Sequence, residues 1–214
     1  MRLRHMTHML RRTALLGIAA FALGAPAFAQ TTPVTLQGAE RARAIAAANR
    51  YLNSFTRLQA RFIQTSPGGG RASGTVYIQK PGRMRFEYDP PAQLLVVSDG
   101  RVVAVRDNEL RTTERTSLRS TPLNIILGAN IDLERDARVL RVSSAGPWNM
   151  ITVRDRAGQM DGQITLQFNG ETLRSWDVID ATGARTRITL SNITEPGSLD
   201  DGLFRLPDVA RRRR

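Results

Sequence analysis

The sequence predicts a mainly β protein with a minor α component: a curved antiparallel sheet carrying one long helix on its concave side. Three observations carry that reading. Residues 74–100, GTVYIQKPGRMRFEYDPPAQLLVVSDG, hold three strand-like segments in a row, two of them alternating and the third an apolar run. They are separated by Lys80-Pro81-Gly82 and Asp89-Pro90-Pro91, and the last is closed by Ser98-Asp99-Gly100. Period-2 alternation between Pro, Gly and Asp punctuation is the pattern of antiparallel strands joined by short turns. Segments of this kind recur every ten residues or so, the spacing of a meander, barrel or sandwich. A single Ala-rich stretch with helical spacing precedes them all.

Taken in chain order, residues 1–29 read as a secretory signal segment. Arg2, Arg4, Arg11 and Arg12 form a basic start, Ala14 to Ala25 an apolar run, and Ala27-Phe28-Ala29 a small-x-small cleavage signal. The apolar run is shorter than the roughly 20 residues of a membrane-spanning helix. Residues 30–210 are expected to form one domain, and 211–214 a basic tail. From Ala39 to Phe55, the apolar residues Ile45, Ala48, Leu52 and Phe55 step by three, four and three, which places them on one helical face. Strands are expected near 57–65, 73–79, 83–89, 93–98, 101–106, 109–115, 138–144, 148–154, 162–169, 173–180 and 184–193. Pro67-Gly68-Gly69-Gly70, Asp99-Gly100, Asp107-Asn108, Ala157-Gly158, Asn169-Gly170 and Thr182-Gly183 supply turns. One short helix interrupts the sheet, with Thr121 as cap, Pro122 at its first position and Gly128 at its end. Its apolar Leu123, Ile126 and Leu127 either plug an open end of the sheet or simply line a connection.

Composition narrows the chemistry. The formal charge is +12, but the signal segment and the Arg211–Arg214 tail each hold four of those charges, so the folded body is only about +4. With the charge so placed, nucleic acid is not expected as a partner. There is no cysteine, and both histidines, His5 and His8, lie in the signal segment. Ser-His and Cys-His nucleophilic systems and His- or Cys-ligated metals are therefore excluded from the mature chain, and neither an enzyme nor a cofactor is expected. The pairs Asp200-Asp201 and Asp132 with Glu134 read as solvated turn residues. Met84, Phe86 and Tyr88 share one face of their strand, which suits a packed core or a cavity for something apolar. Arg83 and Arg85 alternate with them, either as a basic surface for an acidic partner or as ordinary outward residues in a chain with 30 arginines and one lysine, Lys80. Trp148 and Trp176 fall in late strands, where a tryptophan packs the core or lines a ligand cavity.

The order basic-Pro-Gly-Arg-aromatic, then Tyr-Asp-Pro-Pro, then an apolar strand ending in Ser-Asp-Gly resembles the LolA family of periplasmic carriers of outer-membrane lipoproteins. Phe62 and Gln64 in ARFIQT resemble that family's first strand. Thr121-Pro122-Leu123 with Leu127-Gly128 resembles its internal helix, and Asp201, Leu203-Phe204 and Pro207 its C-terminal close. The likeness covers about residues 40–209. It implies that the sheet is an unclosed β-barrel, covered by the long N-terminal helix and a short helical lid. It also implies an acyl-chain cavity lined by Met84, Phe86, Tyr88, Phe62, Leu123 and Ile126, with Lys80, Arg83 and Arg85 facing partners. Lys80 stands where the family usually has Arg, keeping the charge but losing the planar fork. The expected partners are lipid-modified lipoproteins and an inner-membrane exporter of the LolCDE type, with an outer-membrane acceptor left open. The chain is expected to be a periplasmic monomer. A periplasmic sensor module that binds lipid or protein is the alternative.

Overall fold

The computed structural model describes residues 32–156 and 162–207. The signal segment, the basic tail and the Ala157-Gly158 turn lie outside the described residues. The described chain builds one twelve-stranded antiparallel sheet. In chain order the strands are β1 (Val34–Thr35), β2 (Arg57–Thr65), β3 (Arg71–Gln79), β4 (Arg83–Tyr88), β5 (Leu94–Asp99), β6 (Val102–Asp107), β7 (Thr112–Ser117), β8 (Ala137–Ala145), β9 (Trp148–Asp155), β10 (Gln163–Asn169), β11 (Thr172–Ile179) and β12 (Arg185–Thr194). The helices are α1 (Gly38–Ser54), α2 (Leu123–Ile126) and α3 (Leu133–Asp136), with 3-10 turns at Leu118–Ser120 and Asp201–Phe204.

Within the sheet the order is β1-β8-β9-β10-β11-β12-β2-β3-β4-β5-β6-β7. The two edge strands, β1 and β7, do not pair with each other, so the barrel is unclosed. The sheet nevertheless curls strongly. Four strand spacings separate β11 from β4, about 19 Å across a flat sheet, yet the rings of Trp176 on β11 and Phe86 on β4 are 6.4 Å apart. Register shifts in the β8–β9, β10–β11 and β12–β2 pairings bend the strands at those points. Gly74 lets β3 pass close under its neighbours: a Cβ there would collide with the Glu87 carbonyl and stand 2.6 Å from the Phe62 ring.

Alternation decides the faces. Leu58, Ala60 and Phe62 of β2, Val76 and Ile78 of β3, and Met84 and Phe86 of β4 all point into the concave side and are buried. They form one core with Ala44, Ile45, Ala48 and Leu52 of α1. The helix is therefore amphipathic in the expected register, and it lies across β8 and β11. The expected strand at 109–115 starts later, because Asn108 to Arg111 form the turn, with Arg111 at φ 54° and the Leu110 N–H donating to Asp107 Oδ1. Two elements were not expected: the two-residue β1, and α3, which Asp132 caps by accepting from the Glu134 and Arg135 N–H groups.

Candidate functional site

The concave face carries a row of aromatic rings. Phe62 meets Phe86 edge-on at 4.9 Å and Tyr88 at 5.0 Å, and Phe86 continues to Trp176. Met84 lies beside them. Met84, Phe86 and Phe62 are only 1 %, 5 % and 1 % exposed, so the face is filled and covered rather than hollow. Ile126 is buried in the same core, and Leu123 is half-buried and packed against that core. Of the two tryptophans, Trp176 joins this row, while Trp148 is half-buried at the start of β9.

Two helical pieces make the cover. One is α1. The other is the segment from Leu118 to Leu133, which contributes Leu118, Ile125, Ile126, Leu127, Ile131 and Leu133 to the core. Polar bonds tie the pieces to each other: Asn53 Nδ2–H donates to the Ile131 carbonyl at 2.8 Å, and Asn53 Oδ1 accepts from the Ile131 N–H at 2.8 Å. Asn49 Oδ1 accepts from the Leu133 N–H at 3.1 Å. The β3–β4 turn holds the cover from below, since the Gly82 N–H donates to the Leu127 carbonyl at 2.8 Å. Thr121 does not cap α2 as expected. Its hydroxyl donates back to the Leu118 carbonyl, and Pro122 occupies the cap position.

Lys80 is not on the outer surface with Arg83 and Arg85. It is 8 % exposed. Its ammonium donates to the Leu52 carbonyl in the last turn of α1 and sits 4.0 Å from the centroid of the Phe55 ring. A cation at a helix C-terminus and over an aromatic face is favourable, but burial opposes the charge and lowers the Lys80 pKa to about 8. Arg83 and Arg85 do project to the convex side, as alternation requires, and there they hold the chain's own C-terminal segment. Arg83 pairs with Asp201 at 2.6 Å, and Arg85 donates to the Leu203 carbonyl at 3.0 Å. Arg115 on β7 donates to the Pro207 carbonyl at 2.7 Å. Phe204, buried in this segment, covers the convex face where Val97 and Ala104 are also buried.

The polar pairs weighed in the sequence serve structure, capping turns and pairing with arginines of distant segments. Asp200 caps the 3-10 turn through the Gly202 N–H, and Glu134 pairs with Arg41 at 2.7 Å. Tyr88, half-buried at the other end of the aromatic row, donates to Gln64 Oε1 at 2.7 Å, and its burial pushes the phenol up to about 12. Sequence reasoning did not single out Asn49 and Asn53. Their spacing of four beside the apolar stripe is a signal for a helix-borne polar pair, but nothing local names their partners.

The family model described as outer membrane lipoprotein carrier protein LolA matches residues 53–207. The chain belongs to the LolA family. The match takes in β2 to β12, both short helices and the C-terminal segment. An outer-membrane lipoprotein carrier protein from Methylibium petroleiphilum is 29% identical over 176 residues, 78% of this chain and 86% of that one. One from Xanthomonas campestris is 32% identical over 163 residues, 69% of this chain and 78% of that one. A solved structure of a LolA superfamily protein from Nitrosomonas europaea aligns over 80% of this chain and 98% of that chain, with a TM-score of 0.46 and 12% identity. Among the described residues, no helix is long and apolar enough to cross a membrane.

Proposed function

We propose that this LolA-family chain is a periplasmic carrier that shields the acyl chains of lipoproteins between the inner and outer membranes. The observation that carries the reading is the inner face of aromatic rings and one methionine at Phe62, Met84, Phe86 and Trp176, covered by helical pieces that no strand pairing holds down. An acyl chain in water costs about 0.8 kcal/mol per exposed methylene, so a lipoprotein needs such a face to leave a membrane. Acyl chains would replace the side chains of Leu123, Ile125 and Ile126 against the row, lifting the cover. Non-directional contacts to rings and to methionine adapt to chains of different length and release them without a chemical step. Lys80 fits a latch in this scheme: its ammonium donates to the Leu52 carbonyl, and with the bond from its backbone N–H to the Thr56 carbonyl this ties the β3–β4 turn to the end of α1. An inner-membrane exporter of the LolCDE type would load the carrier, and Arg83 and Arg85 are candidates for that contact at their exposed margins.

The test is release of a lipoprotein from inner-membrane spheroplasts. Phe86→Glu puts an unpaired carboxylate where hydrocarbon should sit, at a cost of several kcal/mol to the loaded state. The expected result is a folded variant that takes up no lipoprotein. A folded Phe86→Glu protein releasing lipoprotein at the unmodified rate would overturn the carrier reading.

A further inference from the structure

We propose that Gln64, oriented by Tyr88, is a hydrogen-bonding subsite for the ester carbonyl of an acylated ligand. The inference rests on the acyl-carrier reading and names the place where the ligand's polar head is held. On the inner face of β2, β3, β4 and β12 the residues around the aromatic row are apolar: Phe62, Ala72, Val76, Phe86, Ile188 and Leu190. Gln64 breaks that pattern. It stands directly opposite Ile188 on one side and Ala72 on the other, and it is the next inward residue of β2 after Phe62. A leucine there would extend the core.

The geometry states what the amide is free to do. Its Oε1 accepts the Tyr88 hydroxyl at 2.7 Å, which turns the Nε2 group away from Tyr88. Among the described residues the acceptor within reach of Nε2 is Ser66 Oγ at 3.5 Å, the long limit of a hydrogen bond. The half-buried primary amide therefore keeps donor capacity beyond its long bond to Ser66. Tyr88 is itself locked by its edge-on contact with Phe62, so the amide is held rigidly. Beyond it, Ser66 begins the β2–β3 turn, on the rim of a cleft whose strand residues, Thr65, Arg185 and Arg187, belong to the outer face. A ligand with hydrocarbon along the ring row would thus bring its first polar atoms to Gln64, with the rest of its head toward Ser66 and the β2–β3 turn. The ester group of an acyl glyceride is an acceptor and not a donor, which matches an N–H. Gln64 carries no charge for a carboxylate or phosphate, and the nearby cations, Arg185 and Arg187, lie on the outer face with Thr65.

The experiment compares dioctanoylglycerol with dioctyl glyceryl ether, which keeps the chains and lacks the carbonyls. Their affinities for the purified protein are read by displacement of a fluorescent fatty-acyl probe. The expected result is a preference for the ester of about fivefold, the order of one neutral hydrogen bond. Gln64→Leu should remove the preference and leave the ether's affinity unchanged. Tyr88→Phe, which frees the amide to rotate, should reduce the preference without abolishing displacement. Equal affinity of ester and ether for the unmodified protein would overturn this inference and leave the carrier reading standing. Failure of both lipids to displace the probe would overturn the carrier reading and this inference with it. The comparison on the unmodified protein needs no variant, so it decides the question even if Gln64→Leu does not fold.

Discussion

The two halves of the concave face are made of different side chains. Under α1, strands β8 to β10 present Val142, Ile151, Val153, Ile164 and Leu166, all fully buried. These are stiff aliphatic groups, most of them β-branched, and a helix of 17 residues covers them. Toward the other edge, β2 to β5 add Phe62, Met84, Phe86, Tyr88 and Ser98 to the aliphatic Leu58, Ala60, Val76 and Ile78, and the cover includes a run of 3-10 and four-residue helical turns. Outermost, β7 is exposed along almost its whole length. The first half is a conventional core that fixes the fold. The second is adaptable, lightly covered and held by a few polar bonds, the low-stability material from which moving parts are drawn.

The largest expected contrast comes from placing one charge in each half. Leu166→Glu puts a carboxylate where the cover cannot lift, at a cost of several kcal/mol. The melting temperature should fall by more than about 10 °C, at the 2–4 °C per kcal/mol of a domain this size. Phe86→Glu should lose less than half as much, because the short helical cover can rise and let water reach the carboxylate. Equal losses in a calorimetric scan would abolish the distinction between the halves.

Next in size is the tie between the two covers. Asn53→Ala removes both bonds to Ile131 and leaves a half-buried N–H and C=O without those partners, a loss of about 2 kcal/mol. Denaturant unfolding would measure it, and hydrogen exchange should speed up at 118–133 more than in β9 and β10. Uniform acceleration across the sheet would mean that the cover and the core open as one unit.

Lys80 sharpens the comparison through pH. Its folded pKa, about 8, lies below the ordinary value of 10.5. Between those values the unfolded chain binds more protons than the folded one, so this lysine's contribution to stability rises as pH goes from about 8 to 10.5. Below pH 8 the buried ammonium is retained at a constant cost. The difference in stability between the unmodified protein and Lys80→Met should therefore shift in favour of the unmodified protein across that window and stay flat from pH 6 to 7.5. A flat difference up to pH 10 would mean that the amine is solvated and the cover already loose.

The smallest effect is expected on the convex side. Arg83 and Asp201 are both substantially exposed, so Arg83→Ala should cost under about 1 kcal/mol, and less at high salt. A larger loss would show that the C-terminal segment, not the inner face, carries the stability of β4.

Much of this was legible before any coordinates. The β2 strand falls at 57–65 as expected, and α1 buries Ile45, Ala48 and Leu52 on the expected face. Met84 and Phe86 point inward and Arg83 and Arg85 outward, because in a strand neighbouring side chains have no alternative but opposite faces. The candidate site was legible as a set of residues and not as an arrangement. Lys80 looked like a surface cation, since charged residues are almost never buried unless paired. Its partner, the Leu52 carbonyl, is a backbone group 28 residues away that no side-chain pattern encodes.

The amino-acid order alone determined the periodicities: where strands and the long helix run, which side chains share a face, and that residues 30–214 hold no histidine or cysteine. Those follow from local sterics and hydrophobic alternation, which act over a few residues. Tertiary structure decided that β1 pairs with β8, that Asn53 reaches Ile131 across 78 positions, that the inner face is packed shut, and that Tyr88 turns Gln64. These depend on how far a twelve-stranded sheet curls, and curl is the summed effect of twist and bulges over every pairing, which no single stretch of sequence specifies.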